Sequence, residues 1–305
     1  MKYENVAVIV PCYNEEKTIA RVVEDARKYL PGARVYVYDN NSKDATKTVA
    51  AAAGAIVRSE IRQGKGFALR KSFIDANEDY LIMIDGDDTY DLSYAPNAVQ
   101  YAIENQLDFL NLKRVATDAA AYRRGHVIGN KVLTGAIGIL FGRQIDDMLS
   151  GYKVLSKRFV KSFPASSSGF EIETELLVHA LELGIPLGEL ATNYKERPEG
   201  SFSKLSTYKD GMRIGFTIMR LCQMERPILF FSILAAFSAI ISLIVGGGVV
   251  AEYFQTGLVQ RFPSAILAGF LGMTAIVLMG VGLTLDLVQR TRSDLKKIAF
   301  LAIGH

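Results

Sequence analysis

The run Tyr80-Leu-Ile-Met-Ile-Asp85-Gly-Asp87-Asp88-Thr89 joins a short apolar segment to three carboxylates. An apolar run of this length, bounded by turn residues, is typical of a strand buried in a parallel sheet. Gly86 permits a tight turn where the chain leaves the sheet, so Asp85 and Asp87 can present oxygens to one hard cation. The stretch predicts a buried strand that ends in a site for a divalent metal bound to a diphosphate.

Apolar runs and helical patterns alternate on both sides of this stretch. We predict strands at residues 6–10, 34–38, 55–57, 80–84, 109–115 and 187–194. We predict helices at residues 17–29, 43–53, 65–77, 95–105, 171–183 and 208–223. Residues 127–141 are amphipathic and fit a core helix and a membrane-surface helix equally. The alternation indicates an open, mostly parallel α/β sheet, which binds ligands beyond the carboxyl ends of its strands.

The C-terminal part is far more apolar than the rest. Residues 227–251 and 262–285 are runs of 25 and 24 residues without a formal charge. At about 1.5 Å per residue each reaches roughly 36 Å, against a hydrocarbon core of about 30 Å. A buried core hairpin is the alternative, but three successive glycines at 246–248 suit a lipid-embedded helix better than a soluble one. We therefore predict two transmembrane helices.

Basic residues flank both predicted spans on the same side of the membrane. They are Arg213, Arg220, Arg226, Arg290, Arg292, Lys296 and Lys297. The positive-inside rule then places both termini in the cytosol. We predict a cytosolic catalytic domain at 1–207, a juxtamembrane amphipathic helix at 208–226, a transmembrane hairpin at 227–290 and a cytosolic tail at 291–305. The apolar run at 6–10 is too short for a secretory signal.

The remaining composition narrows the choice of partners. A formal net charge of +3 is too small a basic excess to indicate nucleic acid as a partner. Only two cysteines occur, Cys12 and Cys222, and in the cytosol a disulfide between them is not expected.

Five motifs in order resemble the family 2 glycosyltransferases. They are Val-Ile-Val-Pro11-Cys-Tyr13-Asn14-Glu15, Asp39-Asn-Asn-Ser-Lys-Asp44, Gly64-Lys65-Gly66, Asp85-Gly-Asp87 and Asp147-Met-Leu-Ser150-Gly151-Tyr152. The likeness is greatest to polyprenyl-phosphate glycosyltransferases such as dolichyl-phosphate mannose synthase and undecaprenyl-phosphate glucosyltransferase. Their Arg-x-x-Gly-x-Ser-Lys element is matched, with one extra residue, by the segment from Arg197 to Lys204. The resemblance covers residues 5–220.

This resemblance implies a fold and an activity. The fold is the GT-A nucleotide-diphospho-sugar transferase domain, followed here by interfacial helices and two C-terminal transmembrane helices. The activity is transfer of a hexosyl group from a UDP- or GDP-sugar to undecaprenyl or dolichyl phosphate. Asp85 and Asp87 would bind Mg²⁺ or Mn²⁺, which would stabilise the departing diphosphate.

The resemblance also assigns the donor site. Its residues are Pro11, Tyr13, Asn14, Glu15, Asp39, Lys65, Asp85, Gly86 and Asp87. Tyr13 would flank the base, Glu15 would bind ribose hydroxyls and Asp39 would bind base or ribose. Lys65 would lie near phosphate at a helix N-terminus. The alternatives are helix N-terminal charge compensation for Glu15 and Glu16, and a solvated turn for Lys65.

The acceptor phosphate needs cationic and hydroxyl groups at the membrane surface. The candidates are Arg123, Arg124, Lys131, Ser150, Arg197 and Lys204. Asp147 would orient the acceptor rather than act as a base, because a phosphate monoester with a second pKa of about 6 is already anionic. We therefore expect direct, inverting displacement at the anomeric carbon.

Two other functions stay open. A processive or other-acceptor family 2 glycosyltransferase is disfavoured because no Gln-x-x-Arg-Trp element occurs and the chain has no tryptophan. A catalytically inactive, membrane-anchored sugar-nucleotide sensor would not need an intact acceptor site. As a lipid-linked sugar synthase, the protein would need a separate flippase and a downstream glycosyltransferase. A bacterial inner membrane is favoured over endoplasmic reticulum, and glycines in the spans permit homo-oligomer formation.

Overall fold

The computed structural model describes residues 2–116, 145–165, 167–169, 171–195 and 222–303, with single positions at 134, 135, 138, 142, 216, 219 and 220. The chain forms two compact units. One comprises Met1–Ile214 with Lys296–His305, and the other comprises Gly215–Leu295. The predicted domain boundary at 207 and most of the predicted helices at 127–141 and 208–223 lie outside the described residues.

The first unit is built on a seven-stranded mixed sheet. Its strands are β1 (Val6–Cys12), β2 (Arg34–Asp39), β3 (Ile56–Ser59), β4 (Tyr80–Met83), β5 (Phe109–Ala116), β6 (Lys153–Ser156) and β7 (Leu187–Tyr194). Their order across the sheet is β3-β2-β1-β4-β6-β5-β7. Only β6 runs antiparallel to its neighbours among these strands. The six predicted strands are confirmed, and β6 is an addition.

Helices cover this sheet. They are α1 (Ile19–Tyr29), α2 (Thr46–Ala52), α3 (Lys65–Asp75), α4 (Ala95–Glu104), α5 (Lys157–Ser162) and α6 (Glu171–Leu183). The central strand β1 is buried along its whole length, as its continuous apolar sequence predicts. The buried face of α1 includes Ile19, Val22 and Val23, and burial of each of these apolar side chains contributes about 1.5–3 kcal/mol.

The strand directions bring several loops to one edge of the sheet. Parallel pairing aligns Cys12 with Asp39, so the segments after β1 and β2 begin side by side. The parallel strand β4 ends at the same edge, just before Asp85. Because β6 is antiparallel, its first residue, Lys153, pairs with the last residue of β4, Met83. The segment that precedes β6 therefore also lies at this edge.

The second unit contains two long helices, α7 (Pro227–Thr256) and most of α8 (Phe262–Ala302), whose residues after Leu295 belong to the first unit. Both are long and apolar enough to cross a membrane, and only 11% and 17% of their most apolar stretches are buried. They pack through small side chains: Ser242 Oγ donates to the Ala268 carbonyl at 2.7 Å, and Gly282 lies against Phe231. Helix α8 continues to Ala302, within the segment 291–305 that was predicted as a cytosolic tail.

Candidate active site

The loop after β4 carries the predicted metal ligands. Asp85 is 28% exposed at its side chain, whereas Asp87 is buried. Thr89 fixes Asp87, since its hydroxyl donates to Asp87 Oδ1 at 2.6 Å and its backbone N–H donates to the same oxygen at 3.3 Å. Asp88 has a positive φ of 56° and its carboxylate lies 3.4 Å from Arg21. The turn thus separates Asp88, which pairs with α1, from the two predicted ligands.

A buried lysine compensates the charge of Asp85. Lys65 Nζ lies 2.5 Å from Asp85 Oδ1 and 2.5 Å from Glu173 Oε1. Burial alone would lower the pKa of Lys65, but the two carboxylates outweigh it and hold that pKa above its usual value. Burial also raises the pKa of Glu173. Glu173, in the first turn of α6, was not predicted; its only sequence signal is a pair of acidic residues at a helix start.

The turn at Gly86 is tied to the loop after β1. The hydroxyl of Thr18 donates to the Gly86 carbonyl at 2.6 Å, and a Cβ on Gly86 would lie 2.6 Å from Cys12 Sγ. Gly151 is equally constrained, because its N–H donates to Tyr90 Oη at 2.6 Å and a Cβ there would overlap the Asp85 carboxylate. The two glycines let three segments of the chain meet at Asp85.

Asp39 leaves one carboxylate oxygen free at the predicted donor site. Its side chain is fully buried, and its Oδ2 accepts the Ser42 N–H at 3.3 Å and lies 3.4 Å from Lys47. Its Oδ1 is buried without a hydrogen-bond partner in the described part of the chain. A buried unpaired carboxylate oxygen is costly unless a ligand donates to it. This geometry suits a residue that binds a base or ribose.

The predicted nucleotide loop after β1 is held by the segment after β2. Asn14 has a φ of 54°, its N–H donates to Ser42 Oγ at 2.9 Å, and its Oδ1 accepts the Lys43 N–H at 2.8 Å. The Glu15 N–H donates to Thr46 Oγ1 at 2.9 Å. Pro11, in β1, is buried, and Tyr13, in the loop after it, is half-buried. The structure therefore brings the predicted donor residues of both segments together.

The Gly64-Lys65-Gly66 segment contributes its lysine rather than its amides. The Gly64 N–H donates to Asn40 Oδ1 at 2.5 Å, and the Gly66 N–H donates to the Ser168 carbonyl at 3.0 Å. A Cβ at either glycine would overlap the backbone of residues 167–168. Both amides are thus used within the protein, and the glycines serve close packing.

Asp147 pairs with an arginine that was not predicted. Arg114, near the end of β5, donates from Nε to Asp147 Oδ2 at 2.7 Å, from Nη2 to Oδ1 at 2.8 Å and from its backbone N–H to Oδ2 at 3.0 Å. Burial would raise the pKa of Asp147, but these bonds and the guanidinium charge hold it below its usual value. The guanidinium also lies 5.4 Å from the Tyr194 ring centroid. Asp147 therefore orients Arg114.

The other predicted acceptor residues have different positions. Ser150 is fully buried, and its hydroxyl donates to the Leu112 carbonyl at 2.6 Å. In this arrangement Ser150 fixes the turn before β6. Outside the described residues lie the remaining candidates, Arg123, Arg124, Lys131, Arg197 and Lys204.

The described residues fit a shared metal site but not a complete protein cage. Among them no cluster of three His, Cys, Asp or Glu side chains that could hold a metal occurs. Mg²⁺ commonly takes one or two carboxylates and completes its shell with substrate phosphates and water. Asp85 and Asp87 would supply such hard oxygen ligands. Lys65 already pairs with Asp85, so the described site stabilises positive charge.

The chain is similar to several known proteins. Residues 7–163 match the family model described as glycosyl transferase family 2. An uncharacterized protein of Shigella flexneri is 48% identical over 155 residues, covering 51% of this chain and 95% of that protein. Glycosyltransferase AglJ of Haloferax volcanii is 29% identical over 295 residues, covering 96% and 97%. A dolichyl-phosphate hexose transferase of the same archaeon is 26% identical over 225 residues, covering 73% and 96%.

Solved structures are similar in fold to most of this chain. Glucosyl-3-phosphoglycerate synthase of Mycobacterium tuberculosis with Mn²⁺, UDP and phosphoglyceric acid aligns with a TM-score of 0.57 at 22% identity, covering 72% of this chain and 77% of that one. The same enzyme with Mg²⁺ and UDP gives a TM-score of 0.58 at 23% identity, covering 72% and 78%. The predicted GT-A fold is thereby confirmed.

Proposed function

The chain belongs to glycosyl transferase family 2, and we propose that it transfers a hexosyl group from a nucleotide-diphospho-sugar to a polyprenyl phosphate at the cytosolic face of a membrane. The observation that carries this proposal is the combination of a GT-A site with two apolar helices on one chain. A polyprenyl phosphate keeps its tail in lipid and offers only its head group. A membrane-anchored transferase domain suits such an acceptor.

The donor half of the reaction follows from the first two motifs and the acidic turn. Asp39 Oδ1 would accept a hydrogen bond from base or ribose, and Tyr13 and Glu15 would complete the nucleoside site. Solved relatives of the same fold bind UDP with Mn²⁺ or Mg²⁺. Either metal, held by Asp85 and Asp87, would supply charge stabilisation to the departing diphosphate.

The acceptor half needs no strong base. The attacking phosphate oxygen already carries negative charge, so the protein has to bind and orient it. Arg114 is fixed by Asp147 for such a contact, and a guanidinium suits bidentate phosphate binding. We assign the same task to the five basic candidates named above. The expected product has an inverted anomeric configuration.

The similarity to a dolichyl-phosphate hexose transferase supports a lipid acceptor. We place the transferase unit in the cytosol because basic residues flank both apolar helices on that side. A bacterial inner membrane fits this arrangement, with a flippase and a second glycosyltransferase acting on the product. The alternative is a soluble phosphate acceptor, since the structural neighbour carries phosphoglyceric acid.

One assay separates these functions. Detergent-purified protein is incubated with Mg²⁺ or Mn²⁺, a panel of UDP- and GDP-sugars, and undecaprenyl phosphate, dolichyl phosphate or 3-phosphoglycerate, and products are identified by mass spectrometry. We expect a metal-dependent lipid-phosphate monosaccharide that is lost in Asp87→Ala. A product on 3-phosphoglycerate alone would establish the soluble-acceptor function. Donor binding without transfer to any of these acceptors would favour another acceptor class or a sugar-nucleotide sensor.

A further inference from the structure

A fully buried lysine lies beside the site without a role in the transfer as proposed. Lys153, the first residue of β6, is 0% exposed. Its Nζ donates to Asn111 Oδ1 at 2.7 Å and lies 5.4 Å from the Phe109 ring centroid. Burying an ammonium group costs several kcal/mol unless hydrogen bonds and opposite charges offset the loss of water. A position this costly calls for a functional explanation.

The partner of this lysine contacts the Asp147 segment directly. Asn111 Nδ2 donates to the backbone carbonyl of Asp147 at 2.8 Å and to Glu189 Oε1 at 2.8 Å. Glu189, on the neighbouring strand β7, accepts the N–H of Asp146 at 3.2 Å and that of Asp147 at 3.4 Å. The peptide groups on both sides of Asp147 are therefore bonded to side chains of the sheet.

We propose that Lys153, Asn111 and Glu189 form a positioning relay, which fixes the Asp147 backbone and thereby aims the Arg114 guanidinium at the acceptor phosphate. The Lys153 bond holds Asn111 Oδ1, so the amide must present its Nδ2 to Asp147 and Glu189. Without that bond, only the two hydrogen bonds of Nδ2 hold the orientation of the Asn111 amide. The inference rests on the proposed function for the identity of the acceptor, whereas the hydrogen bonds of the relay do not depend on that identity.

Charges of both halves of the site surround Lys153. Glu173 on α6 and Asp147 favour its ammonium form, whereas Arg114 on β5 and Lys65 on α3 oppose it. The adjacent residue on β4 is the apolar Met83. Burial is the largest influence and lowers the pKa of Lys153 to about 8. The charge of the relay therefore changes in a pH range where the enzyme can be assayed.

Kinetics of four variants test the relay. In Lys153→Met, Asn111→Leu and Glu189→Gln we expect kcat/KM for the acceptor to fall about ten-fold, the order expected of one buried hydrogen bond. The Kd for the nucleoside diphosphate should stay within about two-fold, because among the described residues no hydrogen bond or ion pair joins a relay residue to a predicted donor residue. Lys161→Met is the matched control, since Lys161 bonds only the backbone carbonyls of Phe73 and Ile74 in the described structure. Equal losses for donor and acceptor, or in the control, would overturn the proposal.

The pH profile distinguishes positioning from simple packing. In the wild type, kcat/KM for the acceptor should decline as the pH rises through about 8, where Lys153 loses its proton. Lys153→Arg keeps the charge and the donor, so we expect it to restore much of the activity lost in Lys153→Met and to move this decline to higher pH. An unchanged decline in Lys153→Arg would show that another group is responsible and would overturn the charge dependence.

An activity-independent measurement separates this inference from the proposed function. Hydrogen exchange of the amides of residues 146–147 should accelerate at least about ten-fold in Asn111→Leu, because their acceptor Glu189 loses its own donor. Failure of the wild type to modify any lipid phosphate would refute the proposed acceptor only. Unaltered exchange in Asn111→Leu would refute the relay, whatever the acceptor.

Discussion

Gly151 lies against Asp85 so closely that no side chain fits between them: a Cβ at position 151 would overlap Asp85 Oδ2. The contact joins the turn before β6 to the turn after β4 that carries the predicted metal ligands. It follows from the antiparallel pairing of these strands, which sets Lys153 opposite Met83. The position of a predicted metal ligand thus depends on a residue that contacts no substrate in the proposed reaction.

Gly151→Ala should therefore displace the Asp85 carboxylate. We expect a loss of about a hundred-fold in kcat/KM, the scale of a 1 Å misplacement in an active site. The Mg²⁺ or Mn²⁺ concentration for half-maximal activity should rise in parallel. Gly269→Ala is the control, since no heavy atom of the described structure lies within 4 Å of a Cβ there. Wild-type metal dependence in Gly151→Ala would contradict the close contact.

Thr89 should tune metal affinity through Asp87. In Thr89→Val the 2.6 Å hydrogen bond to Asp87 Oδ1 is lost while the side-chain volume is kept. We expect the metal requirement to rise about five-fold, in line with a net hydrogen-bond contribution of about 1 kcal/mol. Thr89→Ser retains the hydroxyl and should resemble the wild type. A metal titration of initial rates measures both, and equal behaviour of the two variants would argue against this role.

Two bidentate arginine–aspartate pairs in the transferase unit provide a matched comparison. Arg114 pairs with Asp147 at the site, whereas Arg158 pairs with Asp108, which precedes β5 at the other end of that strand. A lysine cannot reproduce the planar fork of either pair. We expect Arg114→Lys to lower kcat/KM for the acceptor about a hundred-fold, the scale of a misplaced binding group. In Arg158→Lys, kcat/KM for the acceptor should fall by less than about three-fold. Both variants should unfold at a lower temperature than the wild type.

The stabilising effect of Asp147 should depend on pH in a defined direction. Its folded-state pKa is held below the unfolded value of about 3.9, so its ion pair is fully formed above about pH 4 and is lost as the pH falls through the folded value. Asp147→Asn should be less stable than the wild type by about 3 kcal/mol at neutral pH, as for a broken buried pair.

The difference in the free energy of unfolding between the wild type and Asp147→Asn should shrink below about pH 4, where the Asp147 carboxylate of the unfolded chain takes up a proton. Thermal unfolding of wild type and variant across a pH series measures it. A gap that stays constant down to pH 3 would show that Asp147 contributes through packing alone.

Local sequence patterns identified most strands and the acidic turn. The strand before Asp85 and the helix after Arg226 are recognisable from local sequence alone. The first is a short apolar run, and the second is a run of 25 uncharged residues, long enough to cross a membrane. Strand β6 was not predicted from the sequence, because it has only four residues and begins with a charged lysine. Burial of Lys153 depends on its hydrogen bond to Asn111, 42 positions away in the sequence, and no local sequence pattern reveals this pairing.

Pairings between distant residues account for the rest of what the sequence did not show. Arg114 is a basic residue near a strand end, and only the folded chain shows that it holds Asp147. Glu173 meets Lys65 across 108 positions. Ser150 was a predicted donor to the acceptor phosphate, whereas the structure shows its hydroxyl donating to the Leu112 carbonyl. Motif matching finds residue types, but the partner of each charge is set by tertiary packing.

The insertion of β6 between β4 and β5 also has a consequence for biosynthesis. Until residues 153–156 have emerged from the ribosome, β4 has no neighbouring strand on one side. The unpaired backbone groups of this apolar strand are then exposed. Such edges pair readily with other chains. About 70 residues separate β4 from β6, and their synthesis takes several seconds at roughly 5–20 residues per second. During that time the nascent protein is prone to aggregation, because β4 has not yet paired with β6.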